Sequence, residues 1–433
     1  MTLALRHRLP PVLRRRDYAL LWTALVAMGL GSQMVAVAVG WQVYAIHRSA
    51  FDLGLIGLLE FVPLPLLALP AGHIADRFSR RTIFAASLAL SVAVTLGLLA
   101  VSLTASHRLW PFLALAVATG VATAVGTPAA RALPPMLVPL DLIQSAMALR
   151  SIAFQVGFAA GPAVGGLLFA VRPELTYATA AGLLGLGFAA ALEVQEPPVA
   201  AREAAERAPA SGLANLLAGF RFVRRTQVLL GAISLDLFAV LFGGAVALLP
   251  LFARSVLHTG PVGLGVLRTA PAFGALAAGV LLAQRPLGGR VGRTLLIAVA
   301  AFGASMVVFG LSHSFALSFA ALGVSGFVDM ISMNIRSTAV ALATPDELRG
   351  RVLAIEMVFI SASNELGAFE SGVAAAVLGA VTAVVAGGGI TIGLAATWGL
   401  LFPALAGIDR FDDVEAGRVA RRGDRAHPSD SPA

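Results

Sequence analysis

Twelve long apolar runs, each closed by Arg, Gly, Pro or His, set the terms for this chain. They lie at 18–46, 51–75, 82–104, 111–131, 142–170, 175–193, 227–253, 261–283, 293–311, 315–341, 352–380 and 384–407. Crossing the hydrocarbon core of a bilayer takes about 20 apolar residues in a helix. Backbone amides in lipid must bond within their own segment or in a closed barrel, and continuous runs of this length satisfy them as helices. The expected fold is therefore an all-α membrane protein with twelve transmembrane helices. With 58% hydrophobic and 12% charged residues, a soluble chain of this length could not cover its apolar surface.

The arginines orient these helices. All 31 basic residues are Arg, and on alternate loops they are nearly absent: one side holds only Arg48, Arg108, Arg172 and Arg254. Arg150, Arg268 and Arg336 fall inside runs, and the rest gather on the other side and in the terminal segments. By the positive-inside rule both termini are expected in the cytoplasm, in an inner-membrane protein. The apolar stretch that begins at Tyr18 is too long for a signal-peptide core, so it counts as the first span.

Several chemistries fall away. Without Lys there is no P-loop lysine and no Schiff base, and without Cys no thiol nucleophile, thiolate site or disulfide. The seven His include no metal-spaced pair, and the runs hold no Ser/His/Asp constellation. No enzyme activity, cofactor, metal or nucleic-acid partner is expected. The partners expected are lipid, a small-molecule substrate and protons, with the protein a monomer.

A hydrophilic stretch divides the chain near its middle. The expected organisation is a six-helix half at 1–195, a cytoplasmic linker at 196–226, a second six-helix half at 227–408 and a disordered cytoplasmic tail at 409–433. Within the linker, Leu213, Leu216, Leu217 and Phe220 recur at helical spacing beside Arg221, Arg224 and Arg225, the pattern of a helix lying on the inner membrane surface. The halves echo one another at an offset near 208: Gly57 matches Gly265, Pro63 matches Pro271 and Glu60 matches Arg268. Two pseudo-symmetric six-helix bundles are an architecture for alternating access about a midplane site.

Two motifs narrow the family. The loop Gly72-His73-Ile74-Ala75-Asp76-Arg77-Phe78-Ser79-Arg80-Arg81 resembles the inner-loop signature of the major facilitator superfamily, with Gly72, Asp76, Arg77, Arg80 and Arg81 on its fixed positions. A positive-inside cluster alone explains the arginines but not Gly72 or Asp76. In the fifth run, Gly157, Gly161, Pro162, Gly165 and Gly166 resemble the antiporter motif of exporters in that superfamily; ordinary glycine packing is the other reading. Residues 212–222, Thr344 to Val352, and Gly367 through Gly372 resemble the drug-efflux branch that contains enterobactin-type siderophore exporters. The resemblance spans nearly the whole chain. It implies a loop that latches the inner face, and outward transport.

Two departures accompany it. The second-half counterpart of the loop, Gln284 to Arg293, lacks the acidic residue, and the fourth run lacks the buried Arg of many proton-coupled exporters.

A charge at the bilayer centre costs about 2.5–3.5 kcal/mol on insertion scales, so each needs a partner, a cavity or a function. Asp236 and Asp329 lie in the seventh and tenth runs, which the resemblance places around the central cavity. They lead the candidates for proton coupling or substrate contact, with a structural ion pair as the alternative. Glu365 and Glu370, with Asn364, flank an expected bend at Gly367 and join those candidates, as does Glu60, which with Arg268 would form an outer gate. Arg336 and Glu356 suit an inner gate. Trp41 and Tyr44 read as interfacial aromatics. Export of a small amphipathic molecule, a siderophore or drug-like compound, by proton antiport is the expected function; import or facilitated passage of a metabolite is the alternative.

Overall fold

The computed structural model describes residues 10–67, 78–104, 108–196, 213–285 and 288–411. Among them are twelve helices long and apolar enough to cross a membrane, and no strand. Spans one to six are Arg16–His47, Ala50–Leu67, Arg80–Leu103, Trp110–Met136, Leu140–Val171 and Pro173–Glu193. Spans seven to twelve are Gln227–Val256, Pro261–Gln284, Val291–Leu311, Phe315–Ala343, Leu348–Leu378 and Ala380–Leu401.

Local chemistry sets where the helices start and stop. Ser49, Ser79 and Ser314 precede spans two, three and ten, and each side chain accepts the amide of the residue three further on, satisfying a donor that the first turn leaves open. Gly379, at φ 85° and ψ 150°, is the sole residue between the helices of spans eleven and twelve. A side chain is strained in that region, which is why the turn is glycine.

The chain forms two compact units. The first comprises Met1–Ser211 with Val246–Ala272, the second Gly212–Ala245 with Phe273–Ala433. Spans seven and eight are thus each divided between units, near Gly244 and Ala272. Span seven is interrupted there: its helix ends at Gly243, Gly244 is extended (φ −80°, ψ 92°), and the chain resumes through a 3-10 turn at Val246–Leu248 and a π-helical turn at Phe252–Val256. Ser371 of span eleven donates to the Gly244 carbonyl at 3.0 Å, re-satisfying an acceptor that the interruption frees.

In the first unit Tyr18, Leu21, Phe84, Leu88, Leu133 and Leu184 form a core of spans one, three, four and six. In the second, Leu235, Leu295, Ile335 and Leu405 do the same for spans seven, nine and ten and the short helix Pro403–Ala406.

The linker segment forms a helix, Leu213–Arg225, one side of which packs on protein: Gly219 sits against Arg351 and Ile355 of span eleven, and Val223 is buried in a cluster with Val340 and Val352. A missing Cβ at Gly219 lets the two helices approach, while Phe220, Arg221, Arg224 and Arg225 stay exposed. The chain is also ordered beyond residue 408. Asp409 and Ile408 carbonyls accept the amides of Val291 and Gly292, capping the start of span nine, and Phe411 packs on the core. The remainder of the tail, 412–433, lies outside the described residues.

Candidate functional site

Span ten carries Asp329, Ser332 and Arg336, spaced i, i+3 and i+7, so one helical face presents all three over about 10 Å of rise. Arg336 forms an ion pair with Asp236 of span seven, and both are buried, at 6% and 8% exposure. Two charges so far from water need each other: a buried pair holds only while both partners are present. The pair does not exhaust the guanidinium. The carboxylate of Glu356, on span eleven, acts on Arg336 electrostatically, and Arg336 Nε is buried with no hydrogen-bond partner among the described residues.

Asp329 is placed differently. It is exposed on one side and makes no ion pair or hydrogen bond among the described residues. On its other side it lines a small cavity together with Asp236, Ala239, Val240, Ala298, Val299, Phe302 and Ser332. The two acids singled out from sequence therefore meet at one cavity, although they lie 93 positions apart in the chain. Two carboxylates, those of Asp236 and Glu356, act on Arg336, and Asp236 also meets Asp329 at the cavity.

The acids of span eleven stand apart from this cavity. Its helix, Asp346–Leu378, continues through Gly367 without a break. Gly367 instead meets the Val240 and Leu241 carbonyls of span seven, where an added Cβ would come within 3.1 Å, so its smallness serves contact rather than bending. Glu370 opens on a shallow groove with Phe369, Val373, Ala374 and Val377, while Asn364 donates to Ile360 O at 2.8 Å and is exposed. Glu365 lies about 13 Å of helix rise beyond Glu356.

The glycine motif of span five is a seam. Gly157, Gly161 and Gly165 face span one at Gly29, Gln33 and Met34; a Cβ on any of them would fall within 2.9 Å of that helix. Tyr18 donates to Ala146 O and Trp22 to Leu149 O, extending the seam toward the arginine-rich face. Gly166, on another side of the same helix, meets Pro261 O and Gly265 of span eight, and Gly265 meets Pro162 O. Pro162 is buried within an unbroken helix, Ile143–Val171.

The arginine-poor end of the first unit is tied by polar contacts as well. Arg268 donates to Ala36 O of span one at 3.3 Å, and Tyr44 exchanges a 2.8 Å hydrogen bond with Ser255. The Arg254 guanidinium sits 5.7 Å from the centre of the Trp41 ring. Trp41 and Tyr44 are thus contact residues between span one and the far segment of span seven, where an interfacial belt was expected. Glu60 lies in span two where span four comes so close that a Cβ on Gly120 would strike the Glu60 carbonyl.

Of the inner-loop signature, Gly72, Asp76 and Arg77 lie outside the described residues. Arg80 opens span three, and Arg81 donates through Nη1 to Val194 O at 2.9 Å and through its amide to Glu196. With Arg16 bonded to Glu193 at 2.8 Å and Asp17 accepting the Gln195 amide at 3.0 Å, the start of the linker is strapped to spans one and three. Arg81 thereby supplies a cation and donors to the open carbonyl end of span six, as a helix C-terminus favours.

Among solved structures, a nucleoside transporter matches 89% of this chain and 98% of its own at a TM-score of 0.66 and 14% identity. An inward-facing bacterial homolog of the lysosomal transporter Spinster matches 96% and 99% at a TM-score of 0.67 and 16% identity. Both share the major facilitator fold. In sequence, the enterobactin exporter of Shigella dysenteriae serotype 1 is 24% identical over 76% of this chain and 77% of its own length. The multidrug efflux pump Tap of Mycolicibacterium fortuitum is 26% identical over 83% and 89%, and macrolide efflux protein A of Streptococcus pyogenes is 24% identical over 67% and 72%. A family model described as transmembrane secretion effector matches residues 9–416. With twelve membrane-spanning helices on that fold and efflux proteins among its relatives, this chain belongs to the transmembrane secretion effector family, a branch of the major facilitator superfamily of secondary transporters.

Proposed function

We propose that this protein exports a small amphipathic molecule from the cytoplasm by proton antiport, with Asp329 and Asp236 as the proton-coupling acids and Arg336 with Glu356 governing the inner gate. The observation that carries the reading is the unequal state of two acids at one cavity. Asp236 is locked in a buried ion pair, whereas Asp329 has no partner among the described residues and is open to one side. A membrane carboxylate without a countercharge holds a proton readily and releases it when its surroundings change. Protonating Asp236 in turn removes the charge that holds Arg336, so proton binding is coupled to the freedom of a residue on span ten.

The remaining motifs fit the same cycle. With the termini in the cytoplasm, the arginine-poor contacts of span five, span eight and the far part of span seven form the outer closure, and the loop of Gly72, Asp76, Arg77, Arg80 and Arg81 forms the inner latch. The names of the relatives, an enterobactin exporter, a multidrug pump and a macrolide efflux protein, support outward movement of a drug-like or siderophore cargo.

Reconstitution tests this. Proteoliposomes given an inward-acid or inward-alkaline pH step are assayed for uptake of a macrolide and of a catecholate siderophore. Accumulation should follow the direction that exchanges protons for cargo, and Asp329→Asn should abolish the dependence on the pH step. Equal gradient-driven flux in Asp329→Asn and the unaltered protein would sink the coupling assignment, and uptake along with the proton flow would make the protein an importer.

A further inference from the structure

Ser332 departs from the other serines of its helix. Ser318 bonds Ser312 Oγ, Ser325 bonds Leu322 O and Ser337 bonds Asn334 O, at 3.0, 2.7 and 3.1 Å. Such local bonds are the usual way a helical serine hides its polarity in lipid. Ser332 is buried at 5% exposure and has no hydrogen bond among the described residues; its side chain lines the cavity shared by Asp236 and Asp329. Ser332 Oγ is not fully buried, so its hydroxyl keeps open surface on the cavity and no protein acceptor, and a polar group so placed is satisfied by solvent. The cavity offers about 10 Å³. That is the room that one water molecule requires, given two to four polar partners.

We propose that a single water, held by Asp236, Ser332 and Asp329, is the proton relay between the two acids, with Ser332 as its positioning residue. This rests on the proton-coupling reading of that cavity and adds the step between its acids. Protonated Asp329 gives its O–H proton to the water oxygen while the water passes one of its own protons to the Asp236 carboxylate. The water is regenerated, Asp329 is left ionised, and it is reprotonated from its exposed side. Neutral Asp236 no longer attracts Arg336, whose nearby anion is then Glu356.

The charged surroundings favour water over a metal cation. Span seven contributes Asp236, span ten Asp329 and Arg336, and span eleven Glu356, with Glu365 and Glu370 farther along it; span nine gives the cavity only Ala298, Val299 and Phe302, and span twelve has no charged residue. Arg336 already neutralises Asp236, so a second cation there would be repelled.

Infrared difference spectroscopy of the full chain in detergent, titrated from acid to alkaline pH, tests the relay without any cargo. The unaltered protein should show a water O–H band that shifts in H2(18)O, together with two carboxyl signals that titrate as a coupled pair. Both the band and the coupling should be lost in Ser332→Val and retained in Ser332→Thr, which keeps the hydroxyl. Ser332→Ala, which leaves more room and no hydroxyl, should lose the coupling as well, and size-exclusion and helicity checks identify any variant that misfolds. Independent titration of the two acids in the unaltered protein would overturn the proposal. So would an undisturbed water band in Ser332→Val, or a carboxylate shift seen when sodium chloride replaces choline chloride, which would make the cavity a cation site. If transport proved to be proton-independent while the coupled band persisted, the function would be at fault and the water site would stand.

Discussion

The span five seam and the span ten face are each one helical stripe, built to opposite ends. Gly157, Gly161 and Gly165 repeat every four residues, and each gives up its side chain so that span one can touch backbone. Asp329, Ser332 and Arg336 occupy an equivalent stripe, and each keeps a polar group where lipid would reject it. The first arrangement is close-packed, with no charged group at its glycine contacts, as suits a body that moves as one piece. The second stores charge that a proton can redistribute. A helix face in a membrane thus serves either as a contact or as a switch, and residue size and charge decide which.

Removing Arg336 should produce the largest effect on stability. Arg336→Leu leaves Asp236 ionised and unpaired in the interior, which costs about 3–5 kcal/mol when one partner of a buried pair is lost. Chemical unfolding in detergent should register this, and adding Asp236→Asn should recover most of it. An Arg336→Leu protein as stable as the parent would mean that the pair is not dry, and the contrast with the span five seam would collapse.

Gly157→Val attacks the other region. Its Cβ would come to 2.7 Å from the Gly29 carbonyl carbon, which is backbone and cannot rotate aside. Forcing span one and span five apart should cost about 1–3 kcal/mol, read as a lower unfolding midpoint. Combined with Arg336→Leu, the two losses should add, because the residues belong to separate compact units. Strong non-additivity would show the seam and the charged face to be one cooperative structure.

Gly182 offers the reference for what glycine costs when it has no neighbour. Nothing lies within 4 Å of a Cβ built there, and it is exposed in the middle of span six. Gly182→Ala should stabilise by roughly 0.5–1 kcal/mol through the loss of backbone freedom alone. A destabilising result would indicate a partner at that face and would weaken the claim that the span five glycines are special.

The same contrast explains what could be read from sequence. The spans were legible because lipid tolerates few alternatives to a long apolar helix, and the Gly157–Gly165 stripe was legible because spacing alone puts it on one face. Periodicity assigns a residue to a face and says nothing about what meets it. Thus Asp236 and Arg336, a hundred positions apart, stood as candidates for coupling and gating, and their pairing emerged only from the fold. Tyr44 looked interfacial because its partner, Ser255, is supplied by a distant segment of span seven. The interruption of span seven did leave a trace, in Gly243-Gly244 followed by Pro250, yet a glycine-rich chain dilutes that signal. Ser332 left none, since its distinction is a bond that it does not make.

Asp329→Asn should give the smallest change in stability and the sharpest change in function. Asp329 has no partner to lose among the described residues and is exposed on one side. The amide matches the carboxylate in shape, so the unfolding free energy should stay within about 0.5 kcal/mol of the parent. Transport driven by a pH step should nonetheless vanish, while exchange of cargo at equal pH continues, because binding and rocking need no charge at this position but proton transfer does. A variant that lost stability as well would place Asp329 in a structural contact, making span ten a second packing seam. A variant that kept both stability and gradient-driven flux would move the coupling to Glu365 or Glu370 on span eleven, away from the cavity that Asp236 shares.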